Sequence, residues 1–191
     1  ENLQLFASFF KSPCRDPEEL LEMVHLQEDT HTRVSAFSKG MKMRLNFIRA
    51  LLNRPEILFL DEPTAGLDPG NARIMKDIIL ELQQEGVTIF LTTHNMDDAD
   101  ELCNRLAFMV KGTLPVIDNT RSLKLKYGKK RVRVEYSQED GTHSREFPIQ
   151  DLSGNGTFQD ILRNREILTI HTQEASLEDI FIEVTGYQLK Q

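Results

Sequence analysis

No apolar run in this chain is long enough to cross a bilayer. The longest is the five-residue LAFMV at 106–110, against the roughly 20 residues that a spanning helix needs. Cysteine is nearly absent as well. Cys14 and Cys103 lie far apart with no cysteine at ligand-like spacing, which argues against a disulfide framework and for unpaired thiols in a reducing compartment. The chain opens at Glu1 without the basic segment, apolar stretch and cleavage site of a secretory leader, so the expected setting is the cytoplasm. Neither an internal repeat nor a low-complexity tract is visible. What remains is a chain of 191 residues, 39% hydrophobic and 28% charged, the balance of a folded globular protein.

The net charge of −7 disfavours nucleic acid as a partner, because phosphate neutralisation dominates that affinity. One segment runs against this average. RSLKLKYGKKRVR at 121–133 holds seven basic residues and no acid. It reads as a solvated edge strand whose cations discourage aggregation, or else as a contact for anionic lipid headgroups or a partner.

Helix signals dominate the first half. Asp16 and Pro17 open a helix as N-cap and first helical residue, within a polar, helical stretch over residues 1–35. In FSKGMKMRLNFIRALLNRP, Ser38 stands at an N-cap position, Met41, Leu45, Ile48 and Leu52 recur at helical spacing, and Pro55 ends the pattern. Three apolar runs follow, ILFL, VTIFLTT and LAFMV, separated by helical stretches that start at Pro69 and near Asn95. Strand, helix, strand, helix, strand predicts a parallel α/β sheet with right-handed crossovers. Strands that are apolar without alternation predict a sheet covered on both faces. After Gly112, KRVRVEY and HSREFPI alternate around QEDG as a β-hairpin. A short helix near 157–164, the strand EILTIHT, and a helix capped by Ser176 with Leu177, Ile180, Phe181 and Val184 on one face complete a small α+β appendage.

The chemistry sits where these elements end. Asp61 and Glu62 close the first apolar strand and His94 follows the second, and ligands of open parallel sheets bind outside the carboxyl ends of the strands. Two carboxylates about 6 Å apart repel by roughly 3 kcal/mol at an effective dielectric near 20, so a nearby cation is expected. Magnesium beside a phosphate suits Asp61 and leaves Glu62 free as a base. The helix opened by Ser38 offers unpaired N–H groups to an anion, and Lys39 in its first turn is misplaced for the helix dipole yet well placed for a phosphate. Alone, DEP also fits a strand-end turn, Asp68 a helix cap, and His94 a core or capping histidine. Together they favour phosphate chemistry.

These stretches, FSKGMKMRLNFIRALLNRPEILFLDEPTAGLDP and FLTTHNMDDADELCNR, resemble the nucleotide-binding domain of ATP-binding-cassette transporters, with four motifs in the family's order. FSKGM is similar to the signature, ILFLDE to the Walker B strand, AGLDP to the D-loop, and His94 to the switch histidine. The resemblance implies that Asp61 holds magnesium, Glu62 polarises the attacking water, and His94 meets the γ-phosphate. It also implies that Ser38, Lys39, Gly40 and Met41 face ATP held by a second domain, with Asp68 coupling the two sites. ATP and Mg2+ are the implied cofactors. A transmembrane permease and a second nucleotide-binding domain in a homodimer are the implied partners, and the inner face of the cell membrane is the implied location. LKLKYG and SLEDIFIEVTG are similar to the C-terminal extension of the drug, lipid or ion export branch.

Two departures stand out. Phe37, Lys39 and Met41 occupy signature positions that the family usually fills with leucine, glycine and glutamine, which the export branch also varies. More important, none of the ten glycines opens a G-x-x-x-x-G-K-[ST] loop, so the cradle for the β- and γ-phosphates is missing. The expectation is a partial P-loop NTPase core, lacking the N-terminal part that carries that loop. It comprises a helical signature subdomain at 1–55, the second half of the ATPase core at 56–112, and an α+β accessory domain at 113–191. Such a chain should turn over little ATP alone and should expose apolar sheet surface prone to self-association. A soluble cassette ATPase acting on ribosomes or DNA, and a non-catalytic docking module, remain as alternative readings.

Overall fold

The computed structural model describes residues 1–128, 130–138 and 140–186, so Lys129 of the basic segment and Glu139 of the expected hairpin turn lie outside the described residues. The chain divides into one compact unit ending at Asn95 and a second that begins at Met96.

The first unit contains α1 (Asn2–Ala7), α2 (Pro17–Met23), α3 (Lys39–Leu51), β1 (Ile57–Asp61), α4 (Pro69–Gln84) and β2 (Thr88–Thr92). Local chemistry sets their ends as the sequence predicts. The Asp16 side chain accepts from Glu18 N at 2.9 Å and Ser38 Oγ accepts from Met41 N at 3.2 Å, each satisfying an orphan donor of a first turn. Asp68 caps α4 through Asn71 N at 3.1 Å, with Pro69 at the first helical position. Gly86, at φ +94, ends α4 in a left-handed conformation that costs a glycine little.

Helix α2 packs on α3, and Leu20, Val24, Ile48, Leu52 and Met75 are fully buried. Arg44, a charged group in this core, donates from Nη1 to Val24 O at 2.6 Å. It thereby answers a carbonyl that the end of α2 leaves open.

Strands β1 and β2 pair in parallel, with Phe59 opposite Phe90 and Asp61 opposite Thr92. Leu58 is buried and Leu60, Ile89 and Leu91 are half-buried on one face. On the other face Ile57, Phe59 and Phe90 stand exposed, Phe59 at 73%. The expected cover on both faces is therefore found on one only, and these three side chains are the open apolar surface.

The second unit contains α5 (Met96–Leu102), β3 (Leu106–Val110), β4 (Thr113–Asp118), α6 (Thr120–Tyr127), β5 (Arg131–Gln138), β6 (Gly141–Pro148), α7 (Gly156–Asn164), β7 (Glu166–Gln173) and α8 (Leu177–Thr185). Here two expectations are corrected. The apolar run 106–110 does not extend a parallel ladder but pairs antiparallel with β4. Lys111 and Gly112, at φ +50 and +76, form the kind of tight turn whose twist suits a hairpin, so the nearest strand in sequence becomes the partner. The start of the basic segment is also not an edge strand. Asn119 caps it by accepting from Ser122 N at 2.7 Å, Leu123 is fully buried, and residues 120–127 form α6.

Strands β6, β5 and β7 form an antiparallel sheet in that order. It buries Val132, Val134, Tyr136 and Phe147 with Ile161 of α7. A separate core joins Phe108, Leu123, Leu177, Ile180 and Phe181. Helix α8 starts with a capping box in which Ser176 and Asp179 each accept from the other's backbone N–H. Ser176→Ala should therefore cost about 1 kcal/mol, read as a lower midpoint in urea denaturation. Cys103 is half-buried, and burial pushes its thiol above the ordinary value, as suits an inert packing residue rather than a nucleophile.

Candidate functional site

The parallel register places the carboxyl ends of β1 and β2 side by side, and there the sequence changes from apolar to reactive. Asp61 ends β1. Glu62 follows with φ +48, a left-handed conformation that costs a residue with a Cβ about 1–2 kcal/mol. Its backbone N–H donates to Thr92 O at 2.9 Å, which carries the ladder one step past the strand. The chain thus holds Glu62 in a sparsely populated conformation where β1 turns away.

The end of β2 answers the two acids one by one. Thr92 Oγ1 is hydrogen-bonded to Asp61 Oδ1. Thr93 Oγ1 donates to Glu62 Oε2 at 3.0 Å, and Glu62 Oε1 accepts from the His94 backbone N–H at 2.9 Å. The same oxygen lies 2.6 Å from His94 Nδ1. A carboxylate has no proton to give, so Nδ1–H is the donor and Nε2 is the nitrogen left to meet a ligand. The His94 side chain is 80% exposed and that of Glu62 32%, so both are open to solvent and to an incoming group. Asp61, Glu62 and His94 are therefore brought together as the sequence expects. Thr92 and Thr93 join this site through their hydroxyls, and the sequence does not single them out. Their signal was a pair of hydroxyls directly before the histidine, on a strand neighbouring the one that ends in two acids.

A second grouping joins the start of α3 to the loop between β1 and α4. Gly66 has φ +72, and a Cβ there would stand 3.0 Å from Lys39 Nζ. At Gly40 a Cβ would stand 3.2 Å from Leu67 Cδ2. Ser38, Lys39 and Gly40 thus share a surface with the turn that leads to Asp68, while Met41 lies in the first turn behind them. The Asn71 side-chain amide and then its backbone N–H hold the Asp68 carboxyl below its ordinary value, so this cap weakens only as pH falls through that lowered value.

The comparisons decide the family. Residues 6–65 match the model described as ABC transporter, and residues 130–174 match that of the fluoroquinolone efflux ABC transporter C-terminal domain. A fluoroquinolones export ATP-binding protein of Mycobacterium tuberculosis is 52% identical over 190 residues, covering 99% of this chain and 63% of that protein. The chain belongs to the ATP-binding domains of the ATP-binding-cassette family. The Nod factor export ATP-binding protein I of Rhizobium meliloti is 33% identical over 210 residues, covering all of this chain and 62% of that relative. Among solved structures, one described as the ATP binding subunit of an ABC transporter matches with TM-score 0.57 at 24% identity, over 65% of this chain and 54% of the other. That likeness speaks for the fold alone. This cassette chain spans somewhat under two thirds of the length of these curated relatives.

Asp61 and its hydroxyl partner are oxygen donors of the kind magnesium takes beside a phosphate: one carboxylate, with waters and phosphate oxygens for the rest. The donor set fits that ion, and no group of three His, Cys, Asp or Glu among the described residues offers a richer cage.

Proposed function

We propose that this chain supplies the Walker B, switch and signature elements of an ATP-hydrolysing subunit that energises a membrane exporter. The observation that carries the reading is Glu62, held by Thr93 and His94 at the carboxyl edge of a parallel sheet. In that role Glu62 takes a proton from the attacking water, and His94 meets the γ-phosphate through its outward nitrogen. Asp61 would hold magnesium, whose charge would neutralise phosphate oxygens. Ser38, Lys39, Gly40 and Met41 present N–H groups and a cation to ATP on a second copy, and Asp68 couples the two sites. A homodimer, a transmembrane permease and a place on the cytoplasmic face of the membrane follow from this role.

The division at 55 and 112 separates the signature, core and accessory functions. The names of the relatives point to export of small molecules such as fluoroquinolones, with selectivity lying in the permease. The match of 130–174 to an efflux-transporter domain supports this branch over a soluble cassette ATPase. An anionic-lipid contact through 121–133 would rest on Arg121, Lys126 and Lys130. Lys124 is tied to Asp100, Arg131 to Glu146 and Arg133 to Glu135.

The phosphate loop is the part this sequence does not contain, and phosphoryl transfer depends almost wholly on positioning and charge. Calorimetric titration of ATP with magnesium into the 191-residue chain should therefore show no tight binding, while a full-length protein that carries such a loop binds in the micromolar range. Micromolar affinity of the chain alone would overturn the assignment of nucleotide anchoring to the loop.

A further inference from the structure

Thr93 has been given no part beyond its contact with Glu62, and its hydroxyl stands between two groups that fix the direction of its proton. The Asn95 backbone N–H donates to Thr93 Oγ1 at 3.0 Å, and Oγ1 lies 3.0 Å from Glu62 Oε2. A hydroxyl has one proton, and an amide N–H can only donate. With Asn95 occupying a lone pair, the Thr93 proton is free for the carboxylate. Resting on the ATPase reading above, we infer that Thr93 is a positioning residue that holds the Glu62 carboxylate in orientation for proton transfer.

The fold makes this assignment specific. Thr92 ends β2 and Thr93 follows it, and here Thr92 serves Asp61 while Thr93 serves Glu62. The paired hydroxyls keep the two acids in separate tasks. Glu62 Oε1 already has two donors, the backbone N–H and the ring of His94, whereas the Thr93 hydroxyl is the partner of Oε2. With the His94 ring shared between Glu62 and a phosphate, Thr93 and the His94 backbone N–H are the two donors that serve the carboxylate alone and fix its plane. A general base works only when that plane faces the proton it accepts.

Thr93→Val keeps the β-branched shape and removes the hydroxyl, and Thr93→Ser keeps the hydroxyl and removes the methyl. Steady-state ATP hydrolysis by the full-length ATPase is the measurement, with thermal unfolding of each variant as a check on folding. Thr93→Val is expected to lower kcat about 10- to 100-fold with KM for ATP within about twofold, because a misplaced reacting group costs rate rather than binding. Thr93→Ser should recover most of the rate. An unchanged kcat in Thr93→Val, a KM that rises in step with the loss, or a Thr93→Ser variant as slow as Thr93→Val would each overturn the proposal. Glu62→Gln measured alongside separates the two levels. If it hydrolyses ATP like the parent, the ATPase reading of the site falls and Thr93 with it. If it is inactive while Thr93→Val is unimpaired, only the role of Thr93 falls.

Discussion

Glu62→Gln is expected to lower kcat of the full-length ATPase by about 10²- to 10⁴-fold, the range a positioned general base contributes, with ATP affinity nearly unchanged. The substitution keeps the shape of the side chain and removes its ability to take a proton. The surroundings tolerate it. The amide oxygen can accept from the His94 backbone N–H as Oε1 does, and the amide nitrogen can donate to the second lone pair of Thr93 Oγ1. The variant should therefore fold, bind nucleotide and stall before hydrolysis. Steady-state hydrolysis and equilibrium ATP binding on one preparation check both halves, and a kcat within threefold of the parent would remove Glu62 from the chemistry.

That prediction draws on both the legible and the hidden parts of the site. Asp61 and Glu62 could be read from the sequence because four apolar residues run straight into two acids, a composition that a strand end alone does not need. The caps Asp16, Ser38, Asp68 and Ser176 were equally open to reading, since each lies within three residues of the donor it satisfies. Pairing across distance was not. Strand β4 contains Pro115, an unfavourable strand residue, and follows a tight turn with positive φ at Lys111 and Gly112. The sequence therefore does not show that 106–110 pairs with β4. SLKLKY alternates like a strand, yet the Asn119 cap and the burial of Leu123 make it helical, so tertiary packing overrode the local pattern. Thr93 lay inside an apolar run, where threonine is an ordinary β-former. Its role depends on which neighbour uses its lone pair, and no spacing rule encodes that.

The tail stretch SLEDIFIEVTG resembles an export-branch extension, but the structure gives it a packing role that a single substitution should expose. Leu177, Ile180 and Phe181 fall on one face of α8 and are 1%, 0% and 7% exposed. Phe181 meets Phe108 edge to face at 5.3 Å between ring centroids. Ile180 sits at the centre of this cluster, in a helix that packs on α6, α5 and β4. Ile180→Ala removes the buried methyl groups and leaves a cavity, so it should destabilise the second unit by about 2–5 kcal/mol. Against a total near 5–15 kcal/mol for a typical domain, that is a large fraction of the stability. Ile182, two residues on and 36% exposed, tests the cause. It has the same side chain, helix and propensity but keeps about a third of its surface in solvent, so Ile182→Ala should cost clearly less than Ile180→Ala. Urea denaturation of both variants, followed by circular dichroism, separates packing from helix propensity. Equal losses would mean that α8 contributes through its helical sequence, and a clearly larger loss in Ile180→Ala assigns the tail to the core of the second unit.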